Sequence, residues 1–526
     1  MSKLDKFKEV IEEGYACKGE YFTLGGAMLD GGAVTGSLVN VPLETLNRHG
    51  LIAGATGTGK TKTLQIIAEQ LSAKSVPVLL MDIKGDLSGI AVPSGGHPKI
   101  DERHAKIGFP FTPDSSPVEF LTLSDEKGVR LRATVSEFGP VLFSKILNLT
   151  DTQAGIVSVV FKYCDDNQYP LLDLNDFKKT LQWMTGEGKK EVADIYGRMS
   201  TASTGAILRK IVELEQQDAD KFFGEPSFDV EDLCRLDENG KGIVSILRLT
   251  DIQDRPKLFS TFMLQMLAEI YATFPEEGDL EQPKLMMFID EAHLVFDNAS
   301  DALLDQLETI IKLIRSKGVG IFFITQNPVD IPDSILGQLG MKVQHALRAF
   351  TAKDRKAIKL AAQNYPETDF YDVEQLLTEL GIGEALVTVL NEKGIPTPLA
   401  HTLLRAPQSR MDVLTNAEID AIVKKSHLIP KYNKTIDCES AYEILKEKIE
   451  EARSEAHQEE MRKQQEKARG TSRRRKSEKS TFDKVLNSTT TRQIGRTIAR
   501  ELTRGLLSVL GIKKTRRRRR KNTGFW

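Results

Sequence analysis

Residues 54–61 read Gly54-Ala55-Thr56-Gly57-Thr58-Gly59-Lys60-Thr61, and they fill every fixed position of the pattern G-x-x-x-x-G-K-[ST]. The flanks are those the pattern requires. Gly50-Leu51-Ile52-Ala53 ahead of it is short and apolar, as a buried strand is. Thr63 to Leu71 behind it carries apolar side chains at helical spacing. Strand, glycine loop and helix in that order form a cradle for a phosphate chain. Backbone N–H groups at a helix N-terminus face negative charge without a counter-ion, and glycines let the backbone come close with positive φ. Lys60 supplies a cation for the β- and γ-phosphates and Thr61 a hydroxyl for Mg²⁺. Gly54, Ala55, Thr56, Gly57, Thr58, Gly59, Lys60, Thr61 and Lys62 are therefore the expected binding site for ATP, with Thr61 a metal ligand.

The chain of 526 residues is 40% apolar and 28% charged, ordinary for a globular protein. Its length suits two to four domains at about 150 residues each. Cys17, Cys164, Cys234 and Cys438 are far apart and show no metal-ligand spacing, which argues against a zinc site and against a disulfide framework. A reducing cytoplasm is the simple expectation. No stretch approaches the roughly 20 apolar residues of a membrane span, and the N-terminus lacks a signal-peptide core. The glycine spacing is not the G-x-G-x-x-G of a nicotinamide or flavin site. The net charge of −2 conceals an asymmetry. Residues 471–526 hold 18 Lys and Arg against 3 Asp and Glu, so the first 470 residues sum to −17.

Along the chain, residues 1–48 read as a small β lead-in, a hairpin or two punctuated by Gly25-Gly26 and Gly31-Gly32. Residues 49–135 read as the first part of an α/β core. A second buried strand there, Val76 to Asp82, ends in Asp82-Ile83-Lys84-Gly85-Asp86 at the carboxyl edge where α/β sheets place ligands. Pro117–Leu123 and Gly128–Val135 read as further strands. Residues 136–240 read as a helical insertion, with a helix start at Leu149-Thr150-Asp151-Thr152-Gln153. The core resumes over 241–407 with strands at Gly242–Leu249, Lys284–Glu291, Gly320–Gln326 and Glu384–Leu390. Strands alternating with helices predict a mostly parallel sheet with helices on both faces. Residues 408–469 read as a charged helical extension, and 470–526 as a basic, partly disordered tail.

A second chemical signal lies about 230 residues after Lys60. Asp290-Glu291 closes an apolar strand of Met286 to Ile289. In phosphate-loop ATPases an Asp at that position reaches Mg²⁺ and the following Glu polarises the attacking water. A carboxylate pair ending a buried strand is otherwise costly. Gln326 ends the next apolar strand, where its amide suits the γ-phosphate or the water. Asp290-Glu291-Ala292-His293 spells the letters of the DEAH-box helicases. Their glycine- and arginine-rich motif does not accompany it, and His293 reads as a polar residue at a helix start.

Together, Gly54–Thr61, Asp82–Asp86, Leu285–His293 and Gly318–Pro328 resemble the HerA/FtsK group of RecA-fold ATPases. Leu46–Leu51, Phe222–Pro226 and Leu347–Thr351 resemble the bacterial HerA-like family. The likeness covers roughly residues 40–405 and extends weakly into the basic tail. It implies a RecA-like core, ATP bound between neighbouring subunits of a ring that is often hexameric, and DNA moved through the centre. It also implies an arginine finger from the next subunit. Arg315, in the helix before the Gln326 strand, matches that position, with Arg255 and Arg348 as lesser candidates; a surface arginine on an amphipathic helix is the competing reading. HerA proper has an N-terminal β-barrel that binds a nuclease. Only about 40 residues precede the core here, so that barrel is expected to be absent or vestigial and the nuclease partnership is not carried over.

In the tail, Arg492, Arg496, Arg500 and Arg504 recur every four residues, as do Ile494, Ile498, Leu502, Leu506 and Leu510. Four residues turn 400° on a helix, so these are two opposed stripes of a basic amphipathic helix. Arg516–Arg520 follows as a run of five arginines. Three destinations fit: DNA phosphates, a peripheral contact with an anionic membrane, and packing on the acidic body or a neighbour. The whole chain is expected to be a cytoplasmic, ring-forming ATPase that moves on or remodels DNA. In it Lys60, Glu291, Gln326 and Arg315 act in hydrolysis, and Asp290 and Thr61 hold the metal. The alternatives are a motor on another polymer and a nucleotide-switched scaffold with negligible turnover.

Overall fold

The computed structural model describes residues 2–251, 255–278, 280–296, 301–434 and 440–470. It divides into two compact units. The larger comprises residues 1–182 and 200–446, and the smaller residues 183–199 with 447 onward. In the smaller unit Arg453 Nε donates to Glu187 at 2.9 Å.

Twelve strands of the larger unit form one sheet. In chain order they are β1 (Tyr21–Leu29), β2 (Gly32–Pro42), β3 (Gly50–Ala53), β4 (Val78–Asp82), β5 (Val118–Thr122), β6 (Val129–Arg130), β7 (Val244–Arg248), β8 (Leu285–Ile289), β9 (Val319–Thr325), β10 (Met341–Gln344), β11 (Glu384–Thr388) and β12 (Ala400–Leu404). Across the sheet the order is β2-β1-β12-β11-β10-β3-β9-β8-β4-β7-β5-β6. From β10 to β6 all neighbours are parallel. From β10 to β2 they are antiparallel. The fold is therefore α/β with a mostly parallel sheet.

The central strands are buried along their whole length, and their sequences say why. Gly-Leu-Ile-Ala, Leu-Met-Met-Phe-Ile and Val-Gly-Ile-Phe-Phe-Ile-Thr are near-continuous apolar runs, as strands covered on both faces must be. Phe288 of β8 and Phe322 of β9 stack with centroids 5.0 Å apart. The Phe322 ring also lies against Gly50 of β3, where an added Cβ would come within 2.3 to 2.7 Å of it. That glycine lets one ring bridge the strands that lead to the phosphate loop and to the acidic pair.

Three details differ from the sequence expectation. The first residues are not all β: helix Lys3–Gly14 precedes the β1–β2 hairpin. Ser2 and Asp5 form a capping box there, and Phe7 and Ile11, one turn apart, bury the inner face. The hairpin is no separate lead-in, because β1 pairs with β12 and so extends the main sheet. The stretch 128–135 is a strand only at Val129–Arg130, since Thr134 caps the next helix, Val135–Ile146, through a capping box with Glu137. Between β6 and β7 lie the helices Val135–Ile146, Asp151–Asn167, Leu174–Thr185, Lys189–Tyr196 and Thr201–Glu215. Residues 441–470 are helical, and the arginine ladder and five-arginine run lie outside the described residues.

Phe322→Ala removes the ring that ties β3, β9 and β8 together. Denaturant unfolding is expected to show a loss of about 3–5 kcal/mol, the usual range for emptying a buried aromatic site. A loss under about 1 kcal/mol would contradict this packing role.

Candidate functional site

β3, β9, β8 and β4 are neighbours running in one direction, so their carboxyl ends share one edge. The register is tight: Ala53 faces Thr325, Ile289 faces Phe323, and Met81 faces Ile289. The glycine loop, Gln326, Asp290-Glu291 and the Asp82–Asp86 segment all leave the sheet from this edge.

The loop is fixed from below. Gly54 N–H donates to Thr325 O at 3.3 Å, and Ala55 N–H to Ala346 O at 2.8 Å. Gly54 has φ +150°, and a Cβ there would sit 2.5 Å from the Cβ of His345. His345 is buried, with Nε2 2.9 Å from Thr63 Oγ1 in helix Lys60–Ala73. Burial, with the Lys60 charge beside it, pushes its pKa down to about 4, so a neutral imidazole underlies the loop. Gly383 N–H donates to Thr58 O at 3.1 Å, which pins the loop's outer rim. Lys60 Nζ donates to Gly54 O at 2.6 Å and Ala55 O at 3.1 Å. Its pKa is lowered by burial and by Lys84, against the pull of Glu291 and Asp290.

The acidic pair sits opposite. Asp290 is 5% and Glu291 6% exposed. Burial drives the Asp290 pKa up to about 6; Lys84 opposes the rise and Glu291 adds to it. Glu291 has φ +46°, a left-handed conformation that costs a residue with a side chain on the order of 1 kcal/mol. One of its oxygens pairs with Lys84 Nζ, which is also 4.0 Å from Asp290 Oδ2. The other, Oε2, has no hydrogen-bond partner; His293 Nδ1 lies 3.3 Å away without hydrogen-bond geometry. Strained backbone and an unsatisfied buried oxygen mark a site held ready for another group. Asp82 plays a different part: its carboxylate accepts N–H groups from Gly85, Asp86 and Leu87 at 2.7, 3.2 and 3.2 Å.

The structure thus brings Lys60, Asp290 and Glu291 into mutual electrostatic range. Gln326 joins them at the rim, exposed, with Thr56 Oγ1 3.5 Å from its Oε1. Thr61 and Lys62 are half-buried in the first turn of the following helix, where Lys62 Nζ donates to Met411 O. The donor set fits Mg²⁺: the Thr61 hydroxyl at the loop's end and the buried Asp290 carboxylate, with the unpartnered Oε2 of Glu291 on the next residue. Arg315 is not brought to this edge. It lies in the turn Arg315–Lys317 before β9, a strand's length of roughly 20 Å away. There it lines a cleft with Arg48, Lys312 and Lys342, to which no carboxylate contributes among the described residues. Arg255 pairs with Asp218 at 2.7 Å, and Arg348 donates to Thr378 O at 3.5 Å. Sequence reasoning missed the roles of Lys84 and His345. Each sits beyond the end of a strand whose neighbours are distant in sequence, so no local pattern points to them.

The family profile described as Helicase HerA-like C-terminal matches residues 31–517. The chain belongs to that family. Among curated HerA-like relatives, the DNA double-strand break repair helicase HerA of Sulfurisphaera tokodaii is 25% identical over 358 residues, 66% of this chain and 64% of that protein. The protein of the same description from Saccharolobus solfataricus is 23% identical over 362 residues, 68% and 65% of the two chains. This HerA-like chain therefore spans just under two-thirds of the length of those relatives. Among solved structures, plasmid coupling protein TrwB in complex with ADP and Mg²⁺ superposes with a TM-score of 0.49 at 16% identity, over 76% of this chain and 98% of TrwB.

A carboxyl whose folded pKa, about 6 for Asp290, exceeds its unfolded value near 4 costs the fold stability when ionised. That cost is fully present above about pH 6 and disappears as the pH falls toward 4. Asp290→Asn is therefore expected to stabilise the nucleotide-free chain at pH 7.5, by on the order of 1–3 kcal/mol. In thermal melts across pH the advantage shrinks toward pH 4; an Asp290→Asn chain less stable than wild type at pH 7.5 would contradict the assignment.

Proposed function

We propose that this chain is a cytoplasmic ATP-driven motor that couples hydrolysis to movement along DNA. The observation that supports it most is the meeting of a complete phosphate loop with a strained, buried Asp–Glu pair on one sheet edge. Family membership points the same way, since the curated relatives are described as DNA repair helicases.

In this reading the loop from Gly54 to Lys62 receives the triphosphate of ATP, and Lys60 exchanges its own loop carbonyls for phosphate oxygens. Thr61 and Asp290 hold Mg²⁺, which neutralises charge on the phosphates when bound. Glu291 accepts the proton of the attacking water through the oxygen that has no donor, and Gln326 orients that water from the rim. Arg315 lies at the opposite sheet edge, so it reaches a triphosphate only across a head-to-tail contact with a neighbouring copy. Such heterologous contacts close into rings, here taken to be hexameric. The +15 balance of residues 471–526 suits DNA phosphates on an otherwise acidic chain.

Steady-state ATP hydrolysis tests this directly. Glu291→Gln is expected to slow turnover by about 10²–10⁴-fold while nucleotide binding persists. Arg315→Ala should fall by about 10³-fold or more, and mixing it with Lys60→Ala chains should restore part of the rate, because each mutant then supplies what the other lacks. Double-stranded or single-stranded DNA should raise the wild-type rate severalfold. Turnover unchanged by Glu291→Gln would favour the nucleotide-switched scaffold, and turnover indifferent to DNA would favour another polymer.

A further inference from the structure

Lys84 stands out among the groups that the mechanism above leaves without a task. It lies two residues past β4, beside the end of β8, because Met81 and Ile289 are paired across those strands. The loop that carries it is wound tightly. Three consecutive N–H groups, of Gly85, Asp86 and Leu87, converge on the Asp82 carboxylate. Gly85 turns with φ +76° against the Thr250 methyl. The Lys84 ammonium is thereby delivered to Glu291, whose side chain is 8% exposed, and to Asp290 Oδ2 at 4.0 Å. Glu291 is in the left-handed region, a backbone conformation that is costly for a residue with a side chain.

We propose that Lys84 is the positioning residue for Glu291: it grips one carboxylate oxygen and leaves the other, Oε2, without a hydrogen bond. This rests on the reading of Glu291 as the group that activates water. The geometry favours it over a direct phosphate-binding role, because the ammonium is engaged by the carboxylates and not by the glycine loop. A lysine suits the task, since a single flexible cation can follow the carboxylate through the cycle. Burial works against its charge, yet Asp290 and Glu291 more than offset that and raise its pKa above the ordinary value.

The test uses the full-length chain and two readouts, binding of a fluorescent ATP analogue with Mg²⁺ and steady-state turnover. Lys84→Met is expected to lower kcat at least tenfold while the analogue's Kd and the KM for ATP change less than threefold. Lys84→Arg, which keeps the cation, should recover at least a third of the wild-type kcat. In a Glu291→Gln background Lys84→Met should cost less than twofold more, because the group it positions is already gone. Should Lys84→Met fold poorly, as a lowered melting temperature would show, Lys84→Gln replaces it in each comparison. A Kd weakened tenfold or more would assign Lys84 to the phosphates instead, and full additivity with Glu291→Gln or an unchanged kcat would overturn the proposal. If wild type hydrolyses ATP and Glu291→Gln abolishes it while Lys84→Met does not, this inference alone falls. If wild type shows no turnover, the motor reading itself falls.

Discussion

Two carboxylates at the end of an apolar strand, with almost no access to water, are the constraint on which the rest of this structure turns. Strand β8 needs its five apolar residues to sit between β9 and β4. Its continuation then drops Asp290 and Glu291 into a buried place, where ionisation of Asp290 is opposed by burial. Lys84 from one side and Lys60 from the other make that placement tolerable without removing its cost. A fold under pressure only for stability has no use for such a pair, since apolar residues of similar size serve a core as well or better. The stability forgone at this edge is what the proposed binding of a charged ligand there accounts for.

The parallel sheet gives the molecule a direction. Every strand from β10 to β6 ends at the edge that carries the phosphate loop, and begins at the edge that carries Arg315, Arg48, Lys312 and Lys342. Asp290, Glu291 and the glycine loop thus lie at one end, and Arg48 and Arg315 at the other, where Lys312 is paired with Glu308 at 3.6 Å.

Much of this was legible in the sequence because the informative signals are local. The glycine loop declares itself through eight consecutive residues and their flanks, and Asp290-Glu291 through an apolar run with an abrupt acidic end. The stacked order of strand, loop and helix gave the mostly parallel sheet. What escaped depends on contacts between distant residues. The pairing of β1 with β12, across more than 370 positions, turned an apparent lead-in into part of the main sheet. Helix Lys3–Gly14 was hidden because it buries only two apolar residues on a charged segment. Lys84 was in plain view within Asp82–Asp86, but nothing near it announces that β8, some 200 residues on, would be its neighbour. His345 was hidden for the same reason, since the P-loop it supports is nearly 300 residues earlier.

The central claim is that Asp290 and Thr61 complete a metal site only when the glycine loop holds a nucleotide. Electron paramagnetic resonance of Mn²⁺, titrated into the chain with and without a non-hydrolysable ATP analogue, measures that most directly. One tightly bound Mn²⁺ per chain that requires nucleotide, and whose affinity drops at least tenfold in both Asp290→Asn and Thr61→Ala, is the predicted result. Mn²⁺ bound equally well by wild type and Asp290→Asn would contradict it.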